Sequence, residues 1–218
     1  MRNLIGTASQ NLPGRGRLAW LLTVLGFDGA GRRPWTDWST ESVLWRYGDV
    51  EVRHVPQAWV AETLVRGDAE GARSKGIRRL ESYVLGANNH YAPLPAGSFV
   101  NEEPVRDDLW RVWLSLRGET ELCGIPRPTN PKVRVSEHPS REIAVARFKG
   151  CPTPEMVSRL TDQVASALVG TVWRCSGQWG LRTWRPLGII IPIRRMEMVV
   201  TLVRDSGPLP RISRQTRR

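Results

Sequence analysis

The sequence predicts an α+β fold of about eight strands and two helices, arranged as two matching halves. Three observations carry this expectation. The chain repeats itself: Val50-Glu51-Val52-Arg53-His54-Val55-Pro56, followed by Val60-Ala61 and Gly67, returns as Val133-Arg134-Val135-Ser136-Glu137-His138-Pro139, followed by Ile143-Ala144 and Gly150. Every matched pair stands 83 positions apart, as Val50 and Val133 do. Each copy alternates up to a Pro-marked turn and resumes beyond it, which reads as a β-hairpin. Each copy is also followed by a stretch with helical apolar spacing. Two such units fold with pseudo-twofold symmetry, and the groove between them is a natural ligand site.

The elements follow in order. Residues 1–42 are a Gly-rich, irregular extension around the apolar segment Leu18–Phe27. Leu44–Arg53 and Trp59–Arg66 form the first hairpin. A helix runs from about Asp68 to Leu85, with Ile77, Leu80 and Val84 on one face and a stop at Gly86. Residues 87–107 hold three prolines and no period, so they read as a long loop. Trp110–Leu116 alternates as a half-buried strand that points Trp113 opposite to Trp110, toward the helix side. Cys123–Pro131 links the halves, and Lys132–Glu137 with Glu142–Lys149 forms the second hairpin. The second helix opens on Thr153 as N-cap and Pro154 at its first position, with Val157, Leu160, Val164 and Leu168 as its stripe. Residues 170–183 read as loop or short strand, Trp184–Ile193 is apolar with two prolines, and Met196–Val203 is a strand. The domain therefore spans 43–203, its halves 44–117 and 127–203, and 204–218 is a basic tail.

Composition narrows the class. The chain has 218 residues and a net charge of +11, carried almost wholly by Arg, since Lys75, Lys132 and Lys149 are its lysines. In the tail Arg204, Arg211, Arg214, Arg217 and Arg218 face Asp205 alone. Such ends touch acidic partners or membrane surfaces, or are simply solvated; no sequence-specific nucleic-acid binding is expected. Cys123, Cys151 and Cys175 have no metal or redox spacing and read as reduced, mostly buried thiols. Leu18–Phe27 is too short to span a bilayer, and a signal core, a membrane-surface helix and a packed helix all remain open for it. The expected location is cytoplasmic, with membrane association through this segment or the Arg-rich ends. Nucleophile-elbow and zinc-protease motifs are missing, so an enzyme is not expected.

Several segments together resemble the SOUL heme-binding family, from about Val43 to Val203. Glu51-Val52-Arg53-His54 is similar to its Y-E-x-R opening, with Val50 where Tyr is usual. Arg79-Leu80-Glu81-Ser82-Tyr83-Val84-Leu85-Gly86-Ala87-Asn88 is similar to R-L-x-S-Y-I-x-G-x-N. Pro126–Val135 resembles the Pro-rich entry to the second half, Phe148-Lys149-Gly150 the F-x-G, and Arg194-Arg195-Met196-Glu197-Met198 the R-R-N-E-V. Where the family carries M-T-A-P-V, this chain reads Tyr91-Ala92-Pro93-Leu94-Pro95-Ala96-Gly97-Ser98-Phe99-Val100. The resemblance implies a twisted, barrel-like antiparallel sheet flanked by two helices, an architecture shared with small-molecule-sensing domains of the gyrase-inhibitor type.

It also implies heme or another tetrapyrrole as ligand. His54 stands where family members proposed to use an axial His carry it, and a neutral imidazole ligates heme iron. His138, near the repeat-equivalent turn, and His90 are reserves. Arg73, Lys75, Arg78 and Arg79 supply cations for propionates or form a solvated helix face. Ile77, Leu80 and Val84 line a porphyrin slot or fill the core. Trp113 is the aromatic expected against a flat ligand. The reading is a non-catalytic heme or tetrapyrrole binder for buffering or delivery. The alternatives are an accessory subunit with a decayed ligand site, docked in a larger complex, and a hydrolase-like activity on a small apolar ligand.

Overall fold

The computed structural model describes residues 41–97, 99–117, 124–149, 152–184 and 196–205. The segment Leu18–Phe27, the tail beyond Asp205, Cys123, Cys151 and the apolar run after Trp184 lie outside the described residues. The strands are β1 (Ser42–Tyr47), β2 (Val50–Val55), β3 (Ala58–Arg66), β4 (Phe99–Arg106), β5 (Leu109–Ser115), β6 (Arg134–His138), β7 (Arg141–Phe148), β8 (Trp173–Trp184) and β9 (Met196–Arg204). The helices are α1 (Ala69–Val84), after β3, and α2 (Pro154–Ala167), after β7.

All nine strands join one antiparallel sheet in the order β1-β2-β7-β9-β8-β4-β5-β3-β6. With β1 set aside, exchanging the halves maps this order onto itself, and the pseudo-twofold axis passes between β8 and β4. The register obeys the repeat as well: Val52 pairs with Ala144, and shifting both by 83 positions in opposite senses gives Val135 with Ala61, also a pair.

The hairpins read from the repeat are corrected. β2 does not pair with β3, nor β6 with β7; β2 pairs with β7 and β3 with β6, so each half lends its first strand to the other. This exchange closes the sheet. Between His138 and Arg141 the chain can reach about 11 Å. In a flat sheet β6 and β7, six places apart in the order, would stand about 29 Å from each other. The sheet must therefore curl into a half-barrel with its two edges drawn together, and the β2-to-β3 link through Pro56-Gln57 repeats the constraint.

Other boundaries shift for local reasons. Gly48, at φ +54°, makes a turn that splits the expected Leu44–Arg53 strand into β1 and β2. The expected loop 87–107 contains β4, whose Pro104 sits beside a register shift against β5 and so breaks the sequence pattern without ending the strand. Residues 170–183 fall mostly in the long β8, bulged between Cys175 and Trp179. Cys175 is exposed rather than buried, beside that bulge.

Both helices lie outside the curl. α1 packs on β3 and β5, and α2 on β2, β7 and β8. Asp68 caps α1 by accepting from Gly71 N at 2.7 Å, and Thr153 caps α2 by accepting from Met156 N at 3.2 Å. The outer faces of the strands then form two apolar cores. Val50, Val52, Ala144, Leu181, Met198 and Val200 meet Leu160 and Val164 of α2. Ala61, Val112, Leu114 and Val100 meet Ile77, Leu80, Tyr83 and Val84 of α1. Trp179 packs against the α2 core and against the small cluster of Val65, Ala72 and Trp110 beside α1, bridging the halves.

Candidate functional site

Alternation decides which side chains enter the half-barrel. On β2, Val50 and Val52 face α2, so Glu51 and Arg53 face inward. The same parity turns Glu197 inward from β9 and Arg182 from β8. These residues form a buried ion cluster with Glu41. Arg53 donates to Glu51 Oε2 from Nε at 2.8 Å and Nη2 at 2.5 Å, and to Glu41 Oε2 from Nη1 at 3.1 Å. Arg182 donates from Nε to Glu197 Oε2 at 2.6 Å and from Nη1 to Glu41 Oε1 at 2.5 Å. Arg147 reaches Glu197 and Glu51 from the rim, each at 3.3 Å. Burial disfavours the charge on Glu41, but Arg182 and Arg53 outweigh it and hold its carboxyl below the usual range.

The first half has a different interior. Glu62 on β3 lies directly across from Trp113 on β5 and Arg134 on β6. Arg134 donates to it at 2.9 Å, Arg111 lies at 3.5 Å and His138 Nε2 at 3.8 Å. His138 above all, then Ser136, Arg134 and Arg111, hold the Glu62 carboxyl down at about 2 against the opposing effect of burial. A depression of about 320 Å³ opens beside it, lined by Thr63, Leu64, Arg111, Lys132 and Arg134. Trp113 belongs to this inner layer; Val112 and Leu114 take the helix side, and their parity turns Trp113 away from α1, which corrects its expected facing.

The outer face holds the third arrangement. Arg73 of α1 donates from Nε to Glu102 Oε1 of β4 at 2.5 Å, and both side chains are buried. Arg73 Nη2, Glu102 Oε2 and Trp110 Nε1 are buried without a hydrogen-bond partner. Ala72, next to Arg73, packs on Trp110, whose ring meets Trp179 edge-on at 6.2 Å. Burial pushes the Glu102 carboxyl up, more than Arg73 draws it down. Unpartnered donors in a buried seam are the feature a polar ligand group would satisfy.

The residues expected to hold heme do not converge on one slot. His54 lies on β2, paired with Ser42 and Glu142 in the half covered by α2, whereas α1 lies over β3 and β5. Ile77, Leu80 and Val84 are 4%, 0% and 1% exposed and fill the core under α1. Gly76 explains that seal: a Cβ there would meet Val112 at 2.6–2.8 Å, so only glycine lets α1 sit this close to the sheet. Arg78 is exposed, Arg79 donates to Thr63 Oγ1 and Leu64 O, each at 3.1 Å, and Arg73 is the cation turned into the seam. His90 is exposed on the loop that Asn88 knits together. As placed, this set does not fit an iron-ligated macrocycle. Several residues of the quoted motifs serve structure instead. Tyr83 donates to Pro126 O at 2.7 Å, tying the helix motif to the Pro-rich entry, and Glu51, Arg53 and Glu197 meet in the inner cluster.

Comparison with known proteins agrees with this architecture. A hydrolase from Listeria innocua is similar at 9% identity and TM-score 0.50, over 73% of this chain and 94% of that one. The EcmrR chain of an EcmrR–DNA complex is similar at 9% identity and TM-score 0.50, over 72% of this chain and 57% of that one. At these identities the likeness is one of fold alone. No curated protein matches the chain. The model of the SOUL heme-binding protein family matches residues 39–179, well over half of the chain, and the chain belongs to the SOUL family.

Proposed function

We propose that this chain is a non-catalytic ligand-binding protein of the tetrapyrrole-binding type, and that it recognises its ligand by a carboxylate rather than by iron. The observation that carries this reading is Arg73, a buried guanidinium with Nη2 unpartnered, on the helix whose Ala72 packs against Trp110. A buried guanidinium N–H is satisfied by a carboxylate oxygen, and charge-assisted bonds of this kind are the strong ones. Family membership supports heme as a ligand. The separation of His54 from α1 favours a tetrapyrrole held independently of its metal.

Absorbance titration of the full chain with heme and with metal-free protoporphyrin tests this. Both bind with affinities within a few-fold of each other, and His54→Ala leaves the Soret maximum where it was. Arg73→Gln, made together with Glu102→Gln so that no carboxylate is left buried alone, weakens both at least tenfold. Binding confined to heme and lost in His54→Ala would overturn the reading and restore His54 as an iron ligand. A second reading, an accessory subunit that no longer takes a ligand, is favoured by the paired Glu/Arg cluster inside the half-barrel; absence of binding to either compound would establish it over the first.

A further inference from the structure

We infer that the mouth of the half-barrel beside Arg141 binds a small organic carboxylate. Arg141 opens β7 and is half-buried, its Cζ 5.1 Å from the centroid of the Trp113 ring. Its side chain makes no ion pair or hydrogen bond among the described residues. The carboxylates that face it are engaged elsewhere: Glu103 accepts from Arg111 at 2.7 Å, and Glu41 is held by Arg182 and Arg53. Arg111 and Arg182 add like charge around it. A partly desolvated guanidinium without a counter-ion is costly, and burial accordingly pushes its pKa down.

His138, at the other end of the same two-residue link, supplies the second observation. Its ring meets Trp113 edge-on at 4.8 Å, and its Nε2 faces Glu62 at 3.8 Å. Its Nδ1 is buried with no partner. The link thus sets a half-buried guanidinium without a side-chain partner and a buried, unpartnered imidazole nitrogen against one indole. A carboxylate fits Arg141 as a planar fork, and Nδ1 takes either a carboxylate oxygen as donor or an adjacent hydroxyl as acceptor. Glu62 and Glu103 close by would repel a phosphate dianion more than a singly charged carboxylate.

The repeat shows that architecture alone does not require these groups. The link between β2 and β3 performs the same closure at the twofold-related place, and there Val55 and Ala58 stand where His138 and Arg141 stand. The pair therefore marks one mouth of the half-barrel, on the face of the sheet opposite the Arg73 seam, and the two sites succeed or fail separately.

The test is a titration of the full chain with acetate, lactate and inorganic phosphate at constant ionic strength. It is followed by the melting temperature and by the arginine Nε and histidine side-chain resonances in nitrogen-15 NMR. Acetate or lactate raises the melting temperature and moves the Arg141 and His138 signals, by mass action on the folded state. Arg141→Gln removes that response, and Arg141→Lys, which keeps the charge but loses the fork, binds at least tenfold more weakly. The assignment is overturned if no carboxylate moves the Arg141 signal, if the response survives in Arg141→Gln, or if phosphate acts as strongly as the carboxylates, in which case the mouth recognises oxyanions by charge alone.

Discussion

The two halves share a backbone plan and differ in what fills it. Aligned on their buried stripes, one position out of the 83-residue register of the strands, Ala72, Gly76 and Leu80 of α1 correspond to Met156, Leu160 and Val164 of α2, and Val84 to its C-cap Leu168. Gly76 brings α1 down onto Val112 and seals its stripe, whereas in the α2 core, with Leu160 at the corresponding place, Met156, Phe148 and Trp45 are only partly covered. Inside the curl the contrast is one of charge. Positions 83 apart carry Glu51 and Arg134, Arg53 and Ser136, Val145 and Glu62. A twofold plan constrains which positions face inward and how strands register; it leaves the chemistry of each inward position free. Function is therefore to be sought where the halves disagree.

The disagreement predicts unequal stability effects. The largest follows from Glu197→Gln. Glu197 is 0% exposed and is shared by Arg182, Arg53 and Arg147, so its loss leaves buried guanidiniums uncompensated, an effect of about 3–5 kcal/mol. Urea denaturation should show it as a lowered midpoint at unchanged slope. Glu62→Gln in the other half, where Arg134 stays solvated, should cost about 1 kcal/mol or less. Equal losses in the two variants would mean that the inner clusters are equivalent after all.

Packing gives the next pair. Leu160→Ala removes a buried side chain and should cost about 2–5 kcal/mol. Gly76→Ala gains about 1 kcal/mol of helix propensity but forces a Cβ against Val112, for a net loss of about 1–3 kcal/mol. Adding Val112→Ala should recover part of the Gly76→Ala loss, a coupling that a double-mutant cycle reads directly. Strictly additive losses would place the cause elsewhere than in the close approach of α1.

These contrasts also show what was legible beforehand. The 83-residue repeat, the helix cap at Thr153 and the α1 stripe are local patterns, and they survived into the structure; the α2 stripe survived at Leu160, Val164 and Leu168 but takes Met156 where Val157 was expected. The strand exchange did not show, because alternation reports that Val50–Val55 is a strand and says nothing about which neighbour it chooses. β4 was hidden by Pro104. Of the candidate site, Arg73 and Trp113 were singled out, one as a cation and one as an aromatic, yet Trp113 was set on the wrong face. The inner cluster was readable in principle from the charges alternating with Val50 and Val52, and from Glu197 between Met196 and Met198. Motif matching instead drew attention to His54. Arg141 and the role of His138 beside it needed the curl, which places β7 against β5 across three intervening strands.

The smallest expected effect concerns acid. Glu62 has its carboxyl held at about 2, below the ordinary 4.5, by His138, Ser136, Arg134 and Arg111 working against burial. A carboxyl depressed in the folded state contributes stability that is complete above its unfolded value and is lost as pH falls through its folded value. The contribution of Glu62 should therefore be present above pH 4.5 and fade between there and about 2. Melting temperatures taken stepwise through that window should fall less steeply for Glu62→Gln than for the wild type, with the two curves drawing together at the acid end. The wild type itself will keep falling for a second reason, since Glu41 in the other half is also held low by Arg182 and Arg53 against its burial. Parallel curves across the whole window would mean that solvent reaching Arg134 screens the first-half cluster into insignificance. The interior of the second half would then be the sole electrostatic anchor among the described residues of the half-barrel.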